Sequence, residues 1–290
     1  MSLPLLFDTD IGTDIDDAYA LALILASPEL ELRGVTVANN RTDQRAKLAL
    51  KMLYETGRDE VPVAVGRATD TGGSVNQYPW AADFDATHPL TQPAAEFLVE
   101  QVNAHPGELT VLAVGPFTNL RDALTLDPDF GAKCRQIAIM GGCVGWPEGG
   151  TPDPYPEYNI KVDIPAAQAL FRLPQMILTV PLDATMKVKL EADFRAKLQA
   201  RQSPLTDGLC AMLALWGGEK PILHDPLAVG MLVDPTLCGV ADMCLEVDDE
   251  GYTRPVEGLT PNARVAVTPQ VGRFLSLFME RLLGQDLRRA

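Results

Sequence analysis

The 290-residue sequence predicts an α/β fold: an open, largely parallel, Rossmann-like sheet flanked by helices, with a mainly helical C-terminal part and a small antiparallel edge. Short apolar runs alternate with longer helix-like stretches through the first two-thirds of the chain, as in repeated β-loop-α units. The runs at 109–114 and 136–140 are apolar almost throughout, which is typical of strands covered by helices on both faces. Because no linker, repeat or low-complexity segment interrupts the chain, we expect a single domain over residues 1–290.

The individual elements follow from apolar periodicity and from helix-start signals. Residues 67–90 have no periodicity and predict a long loop, which in a compact domain is usually functional or mobile. Strands are predicted at 3–7, 32–38, 61–65, 109–114, 136–140 and 176–180, with short antiparallel strands near 239–247, 252–257 and 264–267. Helices are predicted at 18–26, 42–54, from Thr91 with Pro93 in its first turn, at 119–126, from Asp163 with Pro165, from Ser203 with Pro204, from 222 and from 268.

The most informative stretch is the acidic loop, defined here as residues 8–17, Asp8-Thr9-Asp10-Ile11-Gly12-Thr13-Asp14-Ile15-Asp16-Asp17. It lies between a buried strand and an Ala/Leu-rich helix, at the strand end where open α/β sheets build their sites. Five carboxylates in one turn repel one another unless a cation lies among them, and hard divalent cations prefer oxygen ligands. The loop therefore predicts a Ca²⁺ or Mg²⁺ site, with a solvated turn and a helix cap as the alternative. Asp8 is expected to orient the loop by accepting backbone N–H bonds.

Composition excludes several classes of partner. The formal net charge of −15 argues against nucleic acid, whose binding depends on Lys and Arg, and against anionic membrane surfaces. There is no signal-peptide pattern and no apolar run of the roughly 20 residues that a membrane span needs. The five cysteines are scattered and contain no C-x-x-C, as expected for reduced thiols. We therefore expect a cytoplasmic protein that binds neither nucleic acid nor membranes.

Polar residues also follow other predicted strands, and these loops meet at one edge of a parallel sheet. We expect them to converge on one cleft, together with His224 and Asp225 from a helix start. The polar residues at strand ends are Asn39 and Asn40, Thr118 and Asn119, Glu157 and Asn159, and Asp183.

Taken together, these motifs resemble those of the nucleoside hydrolases, the inosine-uridine-preferring nucleoside N-ribohydrolases. The resemblance implies Ca²⁺-dependent hydrolysis of the N-glycosidic bond of free, unphosphorylated ribonucleosides to base plus ribose, by enzymes that assemble as homodimers or homotetramers. The motifs that carry it are Asp8-Thr9-Asp10 with Gly12 and Asp16-Asp17-Ala18, Asn40, Gly115-Pro116-Phe117-Thr118-Asn119, Met140-Gly141-Gly142, Glu157-Tyr158-Asn159 and His224-Asp225-Pro226.

Carried over residue by residue, the resemblance gives each candidate a role. Asp10 is the base that takes a proton from the attacking water, and His224 protonates the leaving base unless it only packs or hydrogen-bonds locally. The implied Ca²⁺ ligands are Asp10, Asp17, the backbone carbonyl of Thr118, and Asp225. The implied sugar contacts are Asp16, Asn40, Glu157, Asn159 and Asp225.

The sequence departs from the family pattern in three places. The acidic loop is two residues longer than the commoner D-x-D-P-G-x-D-D-A form, Thr151 stands where the family often has Asn, and Met186 replaces a family His. The sequence leaves purine versus pyrimidine preference open. The alternatives are a catalytically weak or silent riboside-binding relative and a metal-dependent phosphohydrolase. The matched motifs offer almost no Arg or Lys for a 5′-phosphate, with Arg41 nearest, so a neutral nucleoside is expected.

Overall fold

A computed structural model describes residues 2–149, 151 and 153–289. The strands are β1 (Leu3–Thr9), β2 (Leu30–Val37), β3 (Val63–Val65), β4 (Leu90–Pro93), β5 (Thr110–Ala113), β6 (Gln136–Met140), β7 (Ile177–Val180), β8 (Cys238–Met243), β9 (Leu245–Val247), β10 (Thr253–Pro255) and β11 (Ala263–Pro269). The helices are α1 (Asp16–Leu25), α2 (Thr42–Glu55), α3 (Ala94–Ala104), α4 (Thr118–Leu126), α5 (Phe130–Lys133), α6 (Tyr158–Val162), α7 (Ile164–Phe171), α8 (Leu182–Thr185), α9 (Asp193–Arg201), α10 (Pro204–Trp216), α11 (His224–Val233) and α12 (Val271–Gly284).

The described residues form a nine-stranded sheet in the order β4-β3-β2-β1-β5-β6-β7-β11-β8. Every neighbouring pair is parallel except β11 with β8, which is antiparallel at the sheet edge. A separate antiparallel ladder joins β9 to β10. This arrangement confirms the predicted fold class, including its antiparallel edge.

Two predicted helix starts are wrong. Near the C-terminal end, Thr268 and Pro269 still belong to β11, and α12 begins only at Val271. Residues 90–93 form the edge strand β4 instead of the first turn of a helix, and α3 begins at Ala94. β4 pairs with β3 through Leu90 opposite Ala64 and Pro93 opposite Val65. A proline has no N–H to donate to a ladder, so an edge strand is a place where a sheet tolerates Pro93.

The strand β1 lies at the centre of the sheet and is covered on both faces. Leu5 and Phe7 belong to one apolar core and Leu6 to the other, as strand alternation requires. On the first face α1 is buried along its whole length. Its Tyr19 packs edge-on against Phe194, with ring centroids 5.8 Å apart. The acidic loop is therefore anchored between a central strand and a buried helix.

Strand order places the crevice of the sheet beside the acidic loop. From β1 the chain adds β2, β3 and β4 on one side, and β5, β6 and β7 on the other. The order therefore reverses between β1 and β5, and α/β sheets bind ligands at such a switch point, beyond the carboxyl ends of the strands. Within the described ranges, no helix has both the length and the apolar character to cross a membrane.

Candidate functional site

One cavity of about 330 Å³ opens at this switch point, a volume within the range of small-molecule sites. Its lining combines acidic and amide side chains with apolar and aromatic ones. The polar lining consists of Asp10, Thr13, Asp14, Asp16, Asp17, Glu157, Asn159, His224 and Asp225. The other lining residues are Val114, Met140, Tyr155, Tyr158, Leu182 and Met186.

Three carboxylates of the cavity lie close enough to share one ion. Asp16, Asp17 and Asp225 each offer an oxygen atom, and these atoms lie within 4.8 Å of one another. Asp16 and Asp17 stand in the first turn of α1, and Asp225 stands in the first turn of α11, so two helix N-termini point positive dipole ends at the cluster. The backbone N–H of Asp225 also donates to Asp16 Oδ2 at 3.2 Å. The packing of α1 against α11 thus joins residues more than two hundred positions apart.

The electrostatics of these carboxylates is unfavourable without a cation. Burial raises the pKa of Asp16, Asp17 and Asp225 well above the ordinary range for aspartate, and the neighbouring carboxylates raise it further. Burial also raises the pKa of Asp10, opposed by the guanidinium of Arg45. The cluster therefore favours either protons or a cation over bare negative charge.

Asp10 is held between neighbouring strand ends. Its Oδ2 accepts a hydrogen bond from Asn39 Nδ2 at 2.8 Å, and its backbone N–H donates to Asp17 Oδ1 at 3.2 Å. Asp17 Oδ1 also accepts from the Thr9 hydroxyl at 2.5 Å. On the other side the backbone of Gly115 approaches closely: a Cβ atom there would lie 2.9 Å from Asp10 N and 3.0 Å from Asp10 Oδ1. Asp10 therefore has little room to move.

Gly115→Ala is expected to displace Asp10 while leaving the fold intact. The added methyl meets backbone as well as side-chain atoms of Asp10, which cannot simply rotate away. A misplacement of about 1 Å can cost about 10²-fold in rate, and we expect a loss of kcat/KM of this order. Gly272→Ala is the matched control, because a Cβ at Gly272 meets nothing within 4 Å. Steady-state kinetics and thermal melting of both variants check this, and full activity of Gly115→Ala would contradict it.

Asp8 does not orient the loop through backbone N–H groups, contrary to the sequence-based expectation. Its Oδ1 accepts from Thr36 Oγ1 at 2.5 Å and from Asn119 Nδ2 at 2.7 Å, and its Oδ2 has no hydrogen-bond partner among the described residues. Burial raises the pKa of Asp8 to about 7. Asp8 therefore ties the end of β1 to β2 and α4 below the cavity.

Glu157 and Asn159 are rigidly held at the start of α6. Glu157 Oε2 accepts from the N–H groups of Gly142 and Ile160, both at 3.2 Å, and Oε1 accepts from Asn159 N at 2.9 Å. Asn159 Nδ2 donates to the carbonyls of Val114 at 2.6 Å and Met140 at 3.1 Å. Burial raises the pKa of Glu157 to about 7. Both side chains keep oxygen atoms at the cavity without freedom to swing.

His224 begins α11 and pairs with the helix that follows β7. Its Nδ1 lies 2.7 Å from the hydroxyl of Thr185 in α8. Burial lowers the pKa of His224 to about 4, so the ring is neutral near pH 7. A neutral ring bonded through Nδ1 keeps Nε2 for a second partner.

Most of the predicted site residues are brought together, but two are not. Asn40 is turned away: its Nδ2 donates to the carbonyl of Gly72, and its Oδ1 accepts from Arg45 at 2.8 Å. The neighbouring Asn39 instead donates to Asp10. Thr118 is also absent from the cavity lining, because β5 ends before Gly115 and the chain then turns into α4. Its hydroxyl donates to Asp163 Oδ2 at 3.0 Å. At this strand end Val114 lines the cavity and Thr118 does not, and the Thr118 carbonyl as a metal ligand stays a prediction.

The sequence pattern assigns no site role to several residues that line the cavity, and it favours a helix cap or a supporting group for Asp14. Thr13 and Asp14 come from the longer form of the acidic loop, where no family position matches them. Asn39 does not line the cavity, and it reaches Asp10 from a left-handed backbone conformation, φ 76°, which asparagine adopts more readily than most residues. Tyr155 and Tyr158 stand at the end of the proline-rich loop, 45% and 53% exposed at the cavity. Their place depends on how that loop folds back over the sheet.

Comparisons with known proteins agree with the geometry. The profile described as inosine-uridine preferring nucleoside hydrolase matches residues 5–276. The chain is 31% identical over 312 residues to the pyrimidine-specific ribonucleoside hydrolase RihA of Citrobacter koseri, covering 97% of this chain and 98% of that one. It superimposes on a plant nucleoside hydrolase, the PpNRh1 enzyme, with a TM-score of 0.88, 28% identity and coverage of 98% and 100% of the two chains. A purine-preferring ribonucleoside hydrolase from Gardnerella vaginalis gives a TM-score of 0.83, 28% identity and coverage of 97% and 98%.

The comparisons therefore confirm the resemblance drawn from the motifs. The profile match runs from β1 into α12 and so includes every element that lines the cavity. With that coverage, the chain belongs to the inosine-uridine preferring nucleoside hydrolase family, whose members are N-glycosyl hydrolases.

Proposed function

We propose that the protein hydrolyses the N-glycosidic bond of free ribonucleosides, releasing base and ribose, with a divalent cation, Ca²⁺, in the acidic cluster. The observation that carries this proposal is the convergence of the carboxylates after β1 with Asp225 on the cavity that Glu157 and Asn159 also line. N-glycosidic cleavage passes through an oxocarbenium-like sugar, whose positive charge an acidic cavity stabilises.

The donor set fits a hard cation. Asp16, Asp17 and Asp225 would hold it, with Asp10 and the carbonyl of Val114 as further oxygen donors at the same cavity. The cluster found in the described residues contains oxygen donors and no thiolate or imidazole, as Ca²⁺ or Mg²⁺ prefers. When bound, the ion supplies positive charge that orients water and sugar hydroxyls and relieves the repulsion among the carboxylates.

Asp10 is the group proposed to take the proton of the attacking water. Its carboxylate faces the cavity and is aimed by the hydrogen bond from Asn39. The charge of Arg45 lowers the pKa of Asp10 and so opposes the effect of burial, which favours the ionised form that a base requires.

Sugar hydroxyls are proposed to bind Glu157, Asn159 and Asp16. The amide of Asn159 uses its N–H donors on two backbone carbonyls, which leaves Oδ1 directed to accept from a hydroxyl. Glu157 is held by three backbone N–H groups and offers fixed lone pairs. The oxygen acceptors of Glu157 and Asn159 bind a ligand strongly only if it donates hydroxyl hydrogens, as a ribose does.

The substrate is proposed to be uncharged. No lysine or arginine lines the cavity in the described part of the chain, whereas a 5′-phosphate would need such a partner. The same observation weighs against a phosphohydrolase. A flat base fits against the apolar and aromatic residues of the lining, among them Tyr155, Tyr158, Leu182 and Met186. With Thr185 donating to Nδ1, the neutral His224 would keep its hydrogen on Nε2 and donate a hydrogen bond to the leaving base. To protonate that base, His224 would first have to take up a second proton on Nδ1, which its burial disfavours.

Ribose release from a panel of nucleosides tests the proposal. The panel contains uridine, cytidine, inosine and adenosine, since the relatives named above include pyrimidine-specific and purine-preferring enzymes. Uridine 5′-monophosphate and inosine 5′-monophosphate are the charged controls. We expect reducing sugar from at least one nucleoside and none from the nucleotides. Binding of nucleosides without any release would instead support a silent riboside-binding relative.

Removal of the cation should lower stability in a pH-dependent way. Burial raises the pKa of Asp8 from 3.8 to about 7 and the pKa of Glu157 from 4.5 to about 7. At a pH between the ordinary pKa and the raised pKa of each group, the folded protein in EDTA therefore binds more protons than the unfolded chain. The free energy of unfolding falls as the pH rises through this range. Ca²⁺ competes with protons for the acidic cluster, so it should raise Tm more at pH 8 than at pH 5.

Differential scanning calorimetry of EDTA-treated protein, with and without added Ca²⁺, measures both effects. KCl at matched ionic strength is the control for screening. The same gain in Tm at pH 5 and pH 8, or none at either pH, would contradict a cation held by these carboxylates.

A further inference from the structure

Arg45 is a charged side chain of α2 that lies in the interior, 2% exposed. All five of its N–H donors have acceptors, and every acceptor belongs either to the acidic loop or to Asn40. The contacts are Nε to the Asn40 carbonyl at 2.8 Å, Nη1 to the carbonyls of Asp10 and of Ile11 (the latter at 3.1 Å), and Nη2 to Thr13 Oγ1 at 3.0 Å and Asn40 Oδ1 at 2.8 Å.

This is not an ordinary ion pair. No carboxylate lies within 4.0 Å of the Arg45 guanidinium among the residues described. Burying a charge without a partner is costly unless its donors are fully satisfied, and here they are. The five N–H donors of the planar guanidinium point in fixed directions and match these acceptors, which a lysine ammonium cannot do. Arg45 therefore holds the backbone of the acidic loop in place, in particular the carbonyls of Asp10 and Ile11.

The acidic loop needs such a support because it is longer than in the commoner family pattern. Apart from Arg45, the hydrogen bonds that reach its middle from outside the loop among the described residues come from Gln77. The Gln77 N–H donates to the Gly12 carbonyl at 3.1 Å, and its side chain donates to the Asp14 carbonyl at 2.7 Å. Arg45 joins the end of β1 to the end of β2 at the point where Asp10 and Asn39 meet.

We propose that Arg45 is a positioning residue, which keeps the acidic loop in the conformation that presents Asp10 and the cation-binding carboxylates to the cavity. The inference deepens the proposed function and rests on it for the link to cation binding and rate. The charge of Arg45 also lowers the pKa of Asp10 and Asp17 against their burial, which agrees with a role beside these carboxylates.

The test uses Arg45→Met, Arg45→Lys and the control Lys47→Met on the full chain. Lys47 is on the same helix and donates to the Ala82 carbonyl at 3.3 Å, away from the acidic loop. Groups that orient metal ligands typically contribute 10–100-fold to metal affinity or activity, so we expect Ca²⁺ binding and kcat/KM each to weaken by about 10–100-fold in both Arg45 variants. Calorimetric titration with Ca²⁺ and steady-state kinetics on the best nucleoside measure this.

Hydrogen exchange in EDTA gives a readout that needs no cation. We expect amides of residues 10–15 to exchange at least tenfold faster in Arg45→Met than in wild type, with no change in Lys47→Met. A purely structural role would lower Tm without changing the Ca²⁺ dissociation constant. The loss of a positive charge alone would tighten Ca²⁺ binding. Either result, or unchanged exchange, would overturn the proposal.

The outcomes separate this inference from the proposed function. If wild type binds no Ca²⁺ and releases no ribose, the proposed function fails, while the exchange measurement still decides whether Arg45 holds the loop. If wild type does both and the Arg45 variants match it, only the inference on Arg45 fails. Where Arg45→Met does not fold, Arg45→Lys carries the test, because it keeps the charge and loses the five-donor geometry; wild-type Ca²⁺ affinity in that variant would refute the proposal.

Discussion

Asp10→Asn is expected to lower kcat by about 10²- to 10⁴-fold, the usual contribution of a positioned general base. The amide keeps the size of the carboxylate and an oxygen that accepts from Asn39, but it cannot take a proton from water. Nucleoside binding should survive, because Glu157 and Asn159 are held by backbone groups that the substitution does not touch. Steady-state kinetics together with calorimetric titration of the nucleoside separate the two effects.

Asp43→Asn is the control for this substitution. Asp43 is also an aspartate near the start of a helix, but it is exposed and lies outside the cavity. It should retain wild-type kcat. Wild-type activity in Asp10→Asn would remove Asp10 as the base, whereas loss of nucleoside binding along with activity would indicate that the substitution had collapsed the cavity.

Asp225→Asn is expected to abolish the effect of Ca²⁺ on both activity and stability. It removes one of the three clustered carboxylates, and affinity should fall by more than the 10–100-fold typical of groups that only orient ligands. At a hundredfold excess over its Kd, a ligand contributes about 2.7 kcal/mol, which for a chain of this size is roughly 4–5 °C in Tm. The variant should lose this gain and most of kcat/KM.

In EDTA the substitution Asp225→Asn should raise the Tm instead of lowering it. Burial and repulsion by Asp16 and Asp17 raise the pKa of Asp225, so its charged form destabilises the cation-free protein above neutral pH. A neutral amide removes that repulsion, and Asp225→Asn should therefore melt higher than wild type in EDTA at pH 8. Asp207 is an exposed aspartate in the first turn of α10. Asp207→Asn should change neither the Tm in EDTA nor the gain in Tm on adding Ca²⁺. A lower Tm for Asp225→Asn in both conditions would mean that Asp225 has a packing role instead.

The strands and the acidic loop could be predicted from sequence because their signals are local. An apolar run followed by closely spaced aspartates and a buried Ala/Leu helix has few alternative structures, and β1 and α1 lie where the pattern places them. The cap signals at Asp163 and Ser203 also hold, since each side chain bonds a backbone N–H within its own first turn. The edge strand β4 was missed because a short, exposed strand carries almost no periodicity.

By itself the sequence determined the fold class and the family, and it predicted seven of the fifteen residues that line the cavity. The reason is that the spacing of polar groups after apolar runs decides which side chains reach the carboxyl edge of a parallel sheet. Only the tertiary structure showed that Asn39 and not Asn40 bonds Asp10, and that Val114 lines the cavity while Thr118 does not, because the turn after each strand determines which side chains point inward. It also placed Arg45, which reads in sequence as one more charged residue of an amphipathic helix. Its burial against the acidic loop follows from packing α2 against β2 and β3, which brings the first turns of α2 beside the loop after β1. No local pattern encodes that contact.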